Sequence, residues 1–199
     1  MTALLLAIAL AAADADPLPF SDWFSSRGVA VSIARPPSGA PWIRGASELP
    51  ADAERVHAVL ADLGSYRQLF APIVARSDVL ESSSGATRVH FVWDYPFPFR
   101  DRDAIVAYSD AALPDGGYRI SWRDDARAGD PRTGVRISRV AGETRIEPLD
   151  ASSCRLTYTF LGELGGRVPS VFAQKAWRGE PVGYIVAVRR RLGLPIPPP

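Results

Sequence analysis

Apolar positions repeat at two different periods along this chain, and the changes between them mark out the elements. Residues 29–34 and 42–49 read as strands, and the turn cluster Arg35-Pro36-Pro37-Ser38-Gly39-Ala40-Pro41 between them predicts a hairpin. Ahead of that hairpin, residues 18–24 are predicted as a short capping turn or helix. Pro50-Ala51-Asp52-Ala53-Glu54 then opens a helix, with Val56, Val59, Leu60 and Leu63 on one face and Gly64 at its end. Residues 66–70 read as a further helical turn. From there the period falls to two, and strands are predicted at 74–81, 87–95, 104–111, 118–124, 135–140, 144–149 and 154–161. Short turns rich in Gly, Asp, Ser and Pro separate them, which favours an antiparallel meander. A closing helix is predicted over 169–192, with Pro169 as a start signal and Gly179-Glu180-Pro181 as a kink or break. The pattern alone gives an α+β domain: strand pair, helix, long antiparallel run, long C-terminal helix.

On the predicted strands, apolar and aromatic residues share faces: Phe91 with Trp93; Ala104, Val106 and Tyr108; Tyr118, Ile120 and Trp122; Tyr158 and Phe160. On the closing helix Phe172 and Ala176 lie together. A solid core and the wall of a cavity would use these same residues, so periodicity leaves the two open. The many phenols and indoles lean toward a cavity, because buried Tyr and Trp need partners for their polar atoms.

Composition narrows the function. The 199 residues suit one domain, 47% of them are apolar, and the net charge of +1 supplies no field for nucleic acid or anionic membranes. Arginine supplies nearly all the basic residues, a composition bias rather than a binding surface. One cysteine, Cys154, excludes an internal disulfide, and with two histidines a structural zinc site is not expected. No cofactor is expected either, since no phosphate loop, dinucleotide fingerprint or nucleophile elbow is present. Asp101 and Asp103 could be read as a general acid and base, but Arg100 and Arg102 beside them make an ion-paired turn the simpler reading. Residues 1–15 form an apolar leader ending in Ala13-Asp14-Ala15, read as a signal peptide cleaved near Ala15. The other readings of that stretch are a hydrophobic N-terminal helix or a retained anchor. A secreted or periplasmic bacterial protein is therefore expected, rather than a cytoplasmic one, with a domain over 16–194 and a proline-rich tail over 195–199.

Two motifs carry a family resemblance. Asp94-Tyr95-Pro96-Phe97-Pro98-Phe99-Arg100-Asp101-Arg102-Asp103 joins two predicted strands, and Gly165-Gly166-Arg167-Val168-Pro169 opens the last helix. They resemble the START lipid-transfer family, especially its phosphatidylcholine-carrying branch, where a Tyr-Pro-Phe-Pro run leads to an Arg-Asp pair and a Gly-Gly-x-Ile-Pro turn precedes the final helix. The resemblance spans 42–192 and implies a helix-grip fold: a curved antiparallel sheet wrapped around the C-terminal helix, with an internal hydrophobic cavity. It implies a non-catalytic, monomeric protein that binds a lipid or other apolar molecule and touches membranes transiently. A related cyclase of the aromatase type is the enzyme alternative, and a membrane-tethered binding module a third.

The resemblance also assigns residues. Tyr66-Arg67 matches a pair whose arginine meets the lipid phosphate, and Phe91 matches a tryptophan of the choline cage. Ala104 stands where that cage has a tyrosine and is expected to face the pocket; Ala71 stands where the arginine has an acidic partner. The cage is therefore incomplete. The expected ligand-binding set is Arg67, Phe91, Trp93, Ala104, Val106, Tyr108, Tyr118, Ile120, Trp122, Tyr158, Phe160, Phe172 and Ala176, with the loop 111–117 as the gate.

Overall fold

A computed structural model describes residues 18–83 and 85–199. The expected leader thus lies outside the described residues. β1 (Ser21–Ser26), β2 (Val29–Ala34) and β3 (Trp42–Leu49) come first, followed by α1 (Ala53–Ala61), a 3-10 turn (Leu63–Ser65) and α2 (Tyr66–Leu69). The meander then runs β4 (Val74–Ser83), β5 (Ala86–Trp93), β6 (Arg102–Ala112), β7 (Tyr118–Asp124), β8 (Val135–Arg136), β9 (Ala141–Asp150) and β10 (Ser153–Leu161), and α3 (Ser170–Arg191) closes the chain. Along the sheet the order is β1-β2-β3-β10-β9-β7-β6-β5-β4, with β8 pairing beside β6. Every neighbouring pair is antiparallel except β6 with β8. The expected helix-grip architecture is the observed one.

Local chemistry explains most boundaries. The Asp52 carboxylate accepts the Arg55 amide at 2.8 Å and starts α1 as an N-cap. Residues 18–24 contribute to a strand, not a turn or helix: Trp23 and Phe24 extend the β2 edge, and Arg178 of α3 covers both rings. The expected strand 135–140 shrinks to two residues, held parallel to the entrance of β6 through the Val135 amide on the Asp101 carbonyl, 2.9 Å.

α3 runs unbroken for 22 residues, about 33 Å, with Pro181 inside it. The expected break does not occur: the helix is continuous through Pro181, which packs against the sheet. A Cβ on Gly45 of β3 would lie 2.6 Å from the Pro181 Cβ, so only glycine lets helix and sheet approach this closely. Tyr184, Ile185, Val188 and Leu192 continue that seam into a core with Val29, Val31, Ile43, Leu156 and Ile146. Trp177 donates its indole N–H to the Gly162 carbonyl at 2.8 Å and fixes the helix against the end of β10.

Candidate ligand cavity

The seam fills only part of the concave face. Beside it, between α3, α2 and strands β5, β6, β7 and β10, lies a cavity of about 1240 Å³. Its floor is a belt of rings laid across the sheet. Trp93 stacks on Phe91 at 5.6 Å, Phe91 meets Tyr108 at 5.9 Å, Tyr108 meets Trp122 at 5.8 Å, Trp122 meets Tyr158 at 5.6 Å, and Tyr158 meets Phe160 at 5.2 Å. Tyr108 and Trp122 are direct cross-strand partners, Phe91 with Trp93 and Tyr158 with Phe160 share a face of one strand, and Trp122 reaches Tyr158 across β9. Gly142 opposite Trp122 keeps the indole flat, because a Cβ there would lie 2.4 Å from the ring. Phe70, just after α2, and Tyr184 of α3 stack at 4.9 Å and close the roof.

Polar atoms inside are few. Tyr66 donates to the Leu60 carbonyl at 2.7 Å, and Tyr184 pairs with the Thr144 hydroxyl at 3.0 Å. Tyr158 donates to the Glu180 carboxyl at 3.2 Å. Burial pushes the Glu180 carboxyl up, and the Tyr158 hydrogen bond opposes that only in part. Burial also pushes Tyr95 up to about 12, with Glu180 adding to the shift and Arg102 opposing it.

The mouth is apolar and basic. Val171 is 69% exposed and Ile73 50%, and both line the opening together with Lys175 and Arg178. Phe172, 48% exposed, meets Phe99 edge to face at 5.1 Å, and Phe97 on the same loop is 97% exposed.

The first sequence motif reaches the residue just ahead of the second. Arg102 donates from Nε to the Leu164 carbonyl at 2.8 Å, hydrogen-bonds the Arg100 carbonyl and sits 4.8 Å over the Tyr95 ring. Asp103 is fully buried and accepts from Arg136 at 2.9 Å and from the Thr133 amide and His90 Nε2 at 3.2 Å. Burial raises its carboxyl, but the Thr133 amide, His90 and Arg136 outweigh that and hold it below the ordinary range. Both residues brace the rim rather than face the cavity, but not as the expected ion-paired turn: among the described residues Asp103 pairs with Arg136 and His90, and Arg102 bonds backbone carbonyls instead of the neighbouring carboxylates.

The same architecture occurs in the STAR-related lipid transfer protein of Xanthomonas axonopodis, 26% identical with a TM-score of 0.78, covering 87% of this chain and 98% of that one. The human StAR-related lipid transfer protein 5, 15% identical with a TM-score of 0.78, covers 90% of this chain and 88% of that one. The fold is that of the START superfamily. An uncharacterized protein of Pseudomonas aeruginosa is 23% identical over 148 residues, 73% of this chain and 72% of that protein. No family model matches the sequence.

Against the START fold the expected site residues divide. Phe91, Trp93, Val106, Tyr108, Trp122, Tyr158 and Phe160 stand on the cavity wall. Six do not. Ala104 is sealed in a packed cluster with Leu63, Tyr66, Val74, Val89, Phe91 and Val106, so its methyl reaches no open space. Tyr118 stacks on His57 of α1 at 3.9 Å, and Ile120 is buried in the core that α1 also enters, because that helix fills this end of the concave face. Arg67 points outward on α2, Phe172 belongs to the outer rim, and Ala176 is half-buried off the wall. The loop 111–117 is a self-bonded hairpin, with the Leu113 amide on the Gly117 carbonyl at 2.8 Å. It lies against Pro148, away from the mouth, so it is not placed to gate the cavity.

The expected binding set left out Tyr66, Phe70, Tyr95, Glu180 and Tyr184, all on the wall, although Tyr66 and Tyr95 stand within the stretches that carry the resemblance. A carboxylate within the closing helix, four residues before a tyrosine, was a signal available for Glu180 and Tyr184.

Cys154 is buried, and burial with the nearby Asp52 pushes its thiol up to about 11, which keeps it a small core hydrophobe. Among the described residues no group of three His, Cys, Asp or Glu side chains could hold a metal, and no helix is long and apolar enough to cross a membrane.

Proposed function

We propose that this protein binds one apolar molecule, most plainly a lipid, in the cavity under α3, and carries it between membranes. The observation that carries the reading is the ring-lined space of about 1240 Å³, above the 300–1,000 Å³ of ordinary small-molecule sites. Burying a chain of methylenes there gains roughly 0.8 kcal/mol for each CH₂. The solved X. axonopodis protein is described as a lipid transfer protein, which supports extending that class here. The aromatase/cyclase alternative has less behind it. His57 pairs with Asp110 beside α1 and His90 is buried against Asp103, both off the cavity wall. A phosphatidylcholine cargo is not favoured, since Arg67 and Ala104 are not where that headgroup would meet them.

The exposed Phe97, Phe172, Val171 and Ile73 with Lys175 and Arg178 suit a transient landing on an anionic bilayer. Phe97→Ser with Val171→Ser is expected to weaken sedimentation with anionic vesicles while uptake of a soluble dye continues; unchanged sedimentation would place the landing surface elsewhere. We also propose that the leader is removed near Ala15 and the protein works as a monomer outside the cytoplasm. A mature mass beginning at Asp16 is expected, and a mass beginning at Met1 would overturn the removal.

A plug tests the cavity itself. Gly183 lines it, and a Cβ there meets nothing within 4 Å. Gly183→Trp is expected to abolish dye and lipid uptake with the melting temperature held, because helix propensity improves as the void fills. Uptake at the wild-type level would refute the container reading.

A further inference from the structure

Glu180 differs from Asp103 and Asp130, two other acids that burial draws out of water. Asp103 has Arg136 at 2.9 Å, and Asp130 has Arg88 at 2.8 Å. Glu180 has no basic partner among the described residues. Its Oε1 accepts from Tyr158, and no partner meets Oε2 on the cavity side. The titratable groups coupled to it are phenols: Tyr158 from β10, Tyr108 from β6, Tyr184 from α3 and Tyr95 from the loop after β5, each pushed up by burial, and further when Glu180 ionises. The nearest cations along its own helix are turned elsewhere; Arg178 lies over Trp23 and Phe24 at 5.0 and 4.4 Å, and Lys175 is exposed at the mouth.

The rings do not make up for the missing cation. Tyr184 is sandwiched between Phe70 at 4.9 Å and Tyr158 at 3.9 Å, and Trp122 stacks on Tyr158. Their faces are used on one another, so no open cage awaits an ammonium group. An apolar site of this kind favours the neutral form of a carboxylic acid, which can donate a hydrogen bond. The Tyr108 hydroxyl, also on the wall, has no hydrogen-bond partner among the described residues.

We propose that Glu180 and Tyr108 form an oxygen-binding subsite, so that the carried molecule is neutral and places a hydroxyl or carbonyl oxygen at its buried end. This rests on the container reading and deepens it. A ligand hydroxyl would accept from the Glu180 carboxyl and donate to the Tyr108 oxygen; a carbonyl would accept from both. Ionising Glu180 removes one donor and leaves a buried charge. The preference for an oxygenated ligand therefore fades as pH rises through the carboxyl value, which lies above the ordinary 4.5.

The test uses the full chain loaded with Nile red, with hexadecanol, hexadecane and hexadecylamine as competitors across a pH series, for wild type, Glu180→Gln and Glu180→Leu. Hexadecanol is expected to displace the dye at roughly tenfold lower concentration than hexadecane, the worth of about one net hydrogen bond. The preference should survive in Glu180→Gln without its pH dependence and collapse in Glu180→Leu. An undiminished preference in Glu180→Leu, or hexadecylamine overtaking hexadecanol as pH rises, overturns the subsite while leaving the container intact. If Glu180→Leu fails to fold by near-ultraviolet circular dichroism, wild type against Glu180→Gln decides: the same pH dependence in both overturns the proposal. Absence of Nile red uptake in wild type overturns the container and the subsite with it.

Discussion

Asp103 holds three elements at once: the entrance of β6 through its own backbone, β5 through His90 and β8 through Arg136. A carboxyl held below its unfolded value, about 3.9, adds stability that is present above that value and is lost as pH falls through the lower folded one. Asp130, lowered where the Arg127 amide and Arg88 outweigh burial, acts in the same sense. Thermal stability is thus expected to fall below about pH 4, and Asp103→Ala to cost about 3 kcal/mol by stranding Arg136. A Tm for Asp103→Ala equal to wild type at pH 7 would contradict both roles. Ala104, its neighbour, shows how far sequence reached. The alternation placed Ala104 with Val106 and Tyr108 on one face correctly, but alternation cannot say where a face stops being covered. Here the packed cluster with Leu63 and Tyr66 covers it. Ala104→Trp is expected to lower stability by about 1–3 kcal/mol through overpacking, the opposite of the Gly183→Trp plug. A Tm for Ala104→Trp at the wild-type value would put open space beside the methyl.

At the scale of elements, what was legible followed from period and turn chemistry. β7 matches the predicted span, and β2 and β3 do as well, because their alternation is bounded by Gly, Pro and Asp. β1 was not legible: Trp23 and Phe24 sit in a short segment whose strand state comes from pairing with β2. β8 was overread, since tertiary pairing at Asp101 and Asp103, not its own pattern, decides how much of it is extended. α3 was read well in extent but does not break at Pro181, whose partner glycine on another strand is invisible to a helical window. Gly45→Val is expected to push Pro181 off the sheet and lower the Tm, with a cost of about 1–3 kcal/mol. A neutral Gly45→Val would mean that the helix does not rest there.

For the molecule as a whole, a meander grips one helix along one edge and leaves the remaining concave face lined with rings but unfilled. The belt from Trp93 to Phe160 was visible in sequence as alternating aromatics, while the void above it was not, because volume depends on how far α3 stands from β5 and β6. The motifs supplied that through resemblance, and their physical role proves to be bracing: Arg102 ties the Tyr95 loop to Leu164, just ahead of α3. The central claim is that the space under α3 belongs to a ligand and is not a packing defect. Native mass spectrometry of protein freshly purified from its own cells tests it most directly. The account predicts a population heavier than the polypeptide by one apolar molecule, released on activation and absent in Gly183→Trp. A bare polypeptide mass in wild type that stays bare after incubation with lipid vesicles would contradict it.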